Sequence, residues 1–169
     1  MTSEIKSFVS YLRDVRQTSK NTEISYQRDL NQLAAFLAEK GITEVEKVTR
    51  TSLNSYILYL EKEGKATTTI SRELASIKAF FSYLFREGMI RRDPSELLKA
   101  PKIEKKAPVI LSVNEVNSLL DQPGTSSPKE IRDKAMMELL YATGIRVSEL
   151  IGLELSDLNM QIGYITCRD

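Results

Sequence analysis

Apolar residues return at helical spacing four times within the first 90 positions. Ile5, Phe8, Val9 and Leu12 form one stripe, and Ile24, Leu30, Leu33, Phe36 and Leu37 form a second. Leu53, Tyr56, Ile57 and Leu60 make a third; Ile70, Leu74, Ile77, Phe81 and Leu84 make a fourth. The last three stripes stop at Gly41, Gly64 and Gly88, the residue type best able to take the left-handed turn that closes a helix. Thr49 or Thr51 suits the start of the third helix, and Thr67 the start of the fourth. A helix with one apolar stripe must bury it against another element, so residues 1–90 are predicted to form a four-helix bundle.

Residues 91–110, RRDPSELLKAPKIEKKAPVI, break this periodicity. Pro94, Pro101 and Pro108 favour an extended backbone, so the stretch reads as an inter-domain linker with a helical turn at Ser95–Lys99. Helical spacing resumes in SVNEVNSLLDQ, where Ser112 and Glu115 are placed for a capping box. The PGTSSP segment is a turn. PKEIRDKAMMELLYATG then predicts a helix with Ile131, Ala135, Leu139 and Leu140 inward and Gly144 at its C-terminal end. A short helix over 146–152 follows, with Val147 and Leu150 inward. The alternating tail IGYITCRD, residues 162–169, predicts a strand. Nothing earlier reads as its partner, so the second domain, 111–169, is expected to be incomplete.

Composition narrows the chemistry. The 169 residues include one cysteine, Cys167, and no histidine. An intramolecular disulfide, a soft-metal site and a Ser/Cys–His pair are therefore disfavoured, and a reducing, cytoplasmic setting fits. The N-terminus lacks a signal-peptide pattern and no apolar run spans a bilayer, so no membrane role is expected. Residues 1–106 hold 19 Lys+Arg against 14 Asp+Glu, whereas 107–169 hold 5 against 9. The first part is mildly basic, as a nucleic-acid binder is.

One arginine stands out. In ATGIRVSELIGLELSD, Arg146 follows a glycine turn and opens a helix, where a cation meets the positive end of the helix dipole. The same place suits an anion, and guanidinium suits bidentate phosphate. Glu149, three residues on, either pairs with Arg146 along one helix face or fixes its guanidinium for an incoming oxyanion. A helix-turn-helix reading of VSELIGLELSDL fails because its turn is too short.

The run ATGIRVSELIGLELSDL resembles the signature around the first catalytic arginine of the tyrosine recombinases, the phage integrase family, and of its Xer-type members in particular. TTTISRELASIKAFFSYLFREGMIRRDPSELLKAPK resembles the last core-binding helix and linker of that family, and SYQRDLNQLAAFL its second helix. The resemblance implies a mainly α chain: a SAM-like core-binding bundle, a linker, then the helical start of an α+β catalytic domain ending in a strand. It implies Arg146 as a catalytic arginine and Glu149 as the accessory acid. It further implies attack by a tyrosine on a DNA phosphate, a 3′-phosphotyrosyl link, a tetramer on duplex DNA, and no metal or cofactor. The family's hairpin lysine, His-x-x-Arg pair and nucleophilic tyrosine would lie beyond Asp169. Tyr141 and Tyr164 come too early to match the nucleophile and are expected to serve in packing. The chain is then a recombinase fragment, inactive alone.

DNA contacts are expected from the outer faces of the second and fourth helices. Lys20, Asn21, Tyr26 and Arg28 are the candidates on one; Thr67, Thr68, Thr69, Arg72 and Lys78 are those on the other. Lys102, Lys105 and Lys106 could follow the phosphate backbone from the linker. Arg72 lies off the Ile70–Leu74–Ile77 stripe, so its loss should weaken DNA binding and leave stability nearly unchanged. Two alternatives stand beside recombination: a non-catalytic DNA-binding or regulatory module, and a helical protein-interaction module.

Overall fold

A computed structural model describes residues 1–102 and 107–167. The chain divides into two units, Met1–Lys105 and Lys106–Asp169.

The first unit holds α1 (Thr2–Asp14), α2 (Lys20–Glu39), a 3₁₀ turn (Val45–Lys47), α3 (Arg50–Lys62) and α4 (Thr67–Arg86). The four stripes meet as predicted. α4 packs on the other three helices, and α2 packs on α1 and α3. Leu30, Leu33 and Leu37 of α2 face Leu53, Tyr56 and Leu60 of α3 and a long row from Ile70 to Leu84 of α4 in one core. Phe80 was not on the predicted stripe, yet it is fully buried, with Phe8 edge-on at 5.5 Å. Ile24 departs from expectation and is exposed. The buried position on that turn is Glu23, seven residues before Leu30, and Ile24 lies about 100° further round the helix.

The helix ends explain the boundaries. The Ser19 hydroxyl accepts the Thr22 N–H, and Thr49, not Thr51, forms a reciprocal cap with Ser52. Thr67 does not cap α4: Ala66 holds that position without a side-chain bond, and Thr67 is already helical. Nine buried residues along α4 hold it in place instead. Gly88 ends it at φ +70°, a conformation that costs other residues strain.

The segment read as linker contributes to this unit. Ile90 and Leu98 join the core, and buried Ser95 donates its N–H and hydroxyl to Asp93 Oδ1 at 2.8 and 2.6 Å. The expected turn forms there, closed by the Leu98 N–H on the Ser95 carbonyl. The packed unit thus runs past residue 90.

The second unit comprises α5 (Val113–Leu120), α6 (Pro128–Thr143), α7 (Val147–Ile151), a 3₁₀ turn (Leu155–Asp157), β1 (Leu158–Asn159) and β2 (Tyr164–Ile165). Ser112 and Glu115 cap α5 reciprocally, as Ser127 and Glu130 cap α6. Leu139 and Leu140 are half-buried, but Ile131 and Ala135, expected inside, are exposed. α5 and α7 pack on α6 without covering that face. Val147 is likewise exposed, and so are Tyr141 and Tyr164, which were expected to pack.

The tail strand has a partner after all. β1 and β2 pair antiparallel with Leu158 opposite Ile165 and Asn159 opposite Tyr164. Asn159 Oδ1 accepts the N–H groups of Gln161 and Ile162, and Gly163 takes φ +74°, so a tight turn joins them. A two-residue strand shows no alternation, which is why β1 was invisible as a pattern.

Candidate functional site

The turn before Arg146 is built from three local devices. The Gly144 N–H bonds the Leu140 carbonyl at 2.9 Å with φ +67°, closing α6. The Thr143 hydroxyl donates to the Leu139 carbonyl at 2.6 Å. Leu150 is buried, which pins α7. Arg146 is not the first helical residue, as expected, but the residue before it, with extended ψ of 151°.

Glu149 pairs with Arg146 along the helix face, the first of the two readings, and also caps the backbone, which spacing did not predict. One carboxylate oxygen accepts the Arg146 N–H at 2.7 Å and the other accepts the guanidinium NH1 at 2.6 Å. The first bond, then the second, holds the Glu149 carboxyl below its ordinary value. Glu149 is therefore the anion that sits on the helix start. The Arg146 side chain stays 81% exposed, gripped on one side and open on the other. Such a group presents a fork of donors at a fixed place, suited to an oxyanion whose charge grows during reaction.

The candidates on the first unit divide. Lys20, Asn21, Arg28, Thr67, Thr68 and Lys102 are exposed, while Thr69 and Lys78 are half-buried. Tyr26 is half-buried against Phe8, ring centroids 6.4 Å apart. Asn21 and Arg28, seven residues apart, share a face of α2; Thr68, Thr69 and Arg72 share one of α4, with Lys78 about 120° away. Lys105 and Lys106 lie outside the described residues.

Arg72 is where expectation and structure part. It does not stand free. Its NH1 bonds Oδ2 of Asp29 on α2, a carboxylate only 2% exposed, and the Arg72 side chain is 35% exposed. The Ser76 hydroxyl, which donates to the Glu73 carbonyl at 2.8 Å, lies 3.4 Å from the same oxygen, and Arg28 Nε lies 4.0 Å from Oδ1. Next to it, buried Glu73 accepts the Tyr56 hydroxyl at 2.7 Å. Burial first, then Glu73, pushes the Tyr56 hydroxyl well above its ordinary value. Removing Arg72 would leave Asp29 buried without its main partner, so stability would not stay unchanged. Sequence reasoning missed Asp29 and Glu73. The signal was present: each acid falls in phase with an apolar stripe, Asp29 with Leu33 and Leu37, Glu73 with Ile70 and Ile77.

The second unit thus carries an exposed arginine paired with Glu149 beside a glycine turn, and the first unit is a helical bundle with exposed cations. Comparisons with known proteins give the family. The phage integrase N-terminal SAM-like domain matches residues 5–88, and the phage integrase family model matches 110–169. The chain is 42% identical to tyrosine recombinase XerD of Oceanobacillus iheyensis over 164 residues, covering 96% of this chain and 55% of that protein. It is 39% identical to tyrosine recombinase XerC of Herpetosiphon aurantiacus over 168 residues, 99% of this chain and 55% of that one. The chain belongs to the tyrosine recombinase family, and it spans about half the length of these relatives. Its fold is also that of the Tn1549 transposon integrase, solved in complex with circular intermediate DNA: TM-score 0.67, 21% identity, 98% of this chain and 59% of the other.

Proposed function

We propose that this protein is a site-specific DNA recombinase whose first unit contacts duplex DNA and whose Arg146 supports the phosphate under attack. The observation that carries the reading is the Gly144–Arg146–Glu149 turn, which presents a gripped but open guanidinium within the segment matched by the catalytic family model. Attack on a phosphodiester concentrates negative charge on its non-bridging oxygens. A preorganised fork of donors gains most at that moment, which is what lowers a barrier. The reading includes attack by a tyrosine, giving a 3′-phosphotyrosyl link, and assembly of several protomers on DNA, both supported by the family resemblance; the single cysteine supports a cytoplasmic setting. Glu149 is the positioning group: it fixes the guanidinium without touching the phosphate.

A nicked suicide duplex, selected for binding, tests this on a denaturing gel. The 169-residue chain is expected to form no covalent band, because it carries Arg146 but no histidine. In a protein that carries this chain and spans the full length of its relatives, the band should form, and Arg146→Ala should abolish it while leaving duplex binding intact. Arg146→Lys should also fail, since a point ammonium lacks the fork. A normal band from Arg146→Ala would remove the role given to this arginine.

A further inference from the structure

The polar cluster between α2 and α4 is not explained by the bundle's packing. Asp29 sits at the seam of the two helices, nearly wholly buried, with one guanidinium near each of its oxygens: Arg72 bonded to Oδ2, and Arg28 Nε 4.0 Å from Oδ1. The carboxylate lies inside and the cations lie outside it, with the side chains of Arg28 and Arg72 69% and 35% exposed. Both arginines therefore keep donors toward solvent. A guanidinium carries five N–H groups, and the bond to Asp29 uses only part of that set. Thr68 and Thr69 reach the surface on the α4 turn before Arg72, adding hydroxyls of the kind that meet phosphate. Arg72, bonded to a buried partner, loses less freedom when it binds than an arginine that sweeps through solvent, and Arg28 is drawn to the same carboxylate by charge alone.

We propose that Asp29 is a positioning residue for nucleic-acid binding, holding Arg28 and Arg72 from two helices in register for the phosphodiester backbone of duplex DNA. This rests on the DNA-binding reading given above. It assigns Asp29 no contact with DNA. Glu73, the residue after Arg72 on α4, has its carboxylate engaged by Tyr56 of α3.

Charge gives the test its sign. Asp29→Asn removes a negative group near a polyanion, so long-range electrostatics alone would tighten binding. Positioning requires the reverse. The 169-residue chain and its variants are titrated against a fluorescent duplex of about 20 base pairs across a salt series, with folding at the assay temperature checked by circular dichroism. The parent should bind with strong salt dependence. Asp29→Asn should bind roughly tenfold more weakly. Arg28→Gln, at an exposed position, should also weaken binding and reduce the slope of log K against log salt by about 0.9, one phosphate's worth. Equal or tighter binding by folded Asp29→Asn overturns the proposal. Should Asp29→Asn not fold, Arg72→Lys decides, because it keeps the ion pair and the charge while losing the fork. Weaker binding at an unchanged slope supports positioning; parental binding overturns it. A parent chain that ignores duplex DNA at low salt would sink the DNA-binding reading itself, and this inference with it. Parental-strength binding by the variants sinks the inference alone.

Discussion

Among the described residues, the first unit buries twenty hydrophobic side chains in one core, whereas the second buries Leu150. Caps occur in both units, on α2 and α3 as well as on α5 and α6, but α4 contrasts with the last two. α4 has no side-chain cap and is held by nine buried residues. α5 and α6 have no buried residue, yet each begins with a complete capping box, and α6 ends in a left-handed glycine. Where tertiary burial is plentiful, a missing cap is tolerated. Where burial is scarce, local hydrogen bonds define the element. The candidate residues follow the same contrast: those of the first unit are spread over helix surfaces, while that of the second, Arg146, is bonded to the carboxylate three residues on.

The comparison breaks most readily at the core. Phe80 is fully buried and contacts Phe8 and Phe81 at centroid separations of 5.5 and 5.2 Å. Phe80→Ala should cost about 3–5 kcal/mol of unfolding free energy, through lost burial and the cavity left behind. Ile131→Ala, at an exposed position of α6, should cost about 0.5 kcal/mol or less. Urea unfolding followed by tyrosine fluorescence and circular dichroism measures both. Comparable losses at the two positions would mean that α6 buries surface the structure shows as open.

A smaller effect tests the second unit's reliance on caps. The Ser127 hydroxyl accepts the Glu130 N–H at 3.3 Å, and the Glu130 carboxylate returns the bond to the N–H groups of Ser126 and Ser127. Ser127→Ala should cost about 1 kcal/mol, felt locally in α6. Amide hydrogen exchange should quicken through the first turns of α6 and stay unchanged in α4. Uniform quickening across both units would show that the cap supports a cooperative structure shared by α4 and α6.

What was legible in the sequence follows the same division. The bundle could be read because each stripe repeats over several turns and each partner is another stripe in the same unit. The caps of α5 and α6 could be read because Ser-x-x-Glu is a local code. Arg72 was misread because its partner is 43 residues away, and spacing on one helix says nothing about the helix beside it. β1 was missed because two residues carry no period, although Asn159 and Gly163 marked the turn. The inward face assigned to α6 failed because periodicity identifies an apolar stripe and not what covers it. Arg146 and Glu149 were legible as a pair from spacing alone. That Glu149 also caps the backbone, and that Arg146 precedes the helix, came only with the dihedral angles.

The smallest expected effect concerns that pair. The Arg146 N–H bond, and secondarily its guanidinium, hold the Glu149 carboxyl below the ordinary 4.5. A carboxyl depressed in the folded chain adds stability above its unfolded value and loses that contribution as pH falls through the folded one. The cap should therefore be complete at neutral pH and be lost only in acid, below about pH 4.5. In an NMR titration, the Glu149 carboxyl carbon and the Arg146 amide proton should move together, with a shared midpoint under that value. Arg146→Ala keeps the backbone donor and removes the guanidinium, so the midpoint should rise only part of the way. Glu149→Gln should leave the Arg146 amide insensitive to acid over this range. A shared midpoint at or above 4.5 would mean that Glu149 does not grip Arg146 in solution, and the second unit would then present a free arginine where the structure shows a held one.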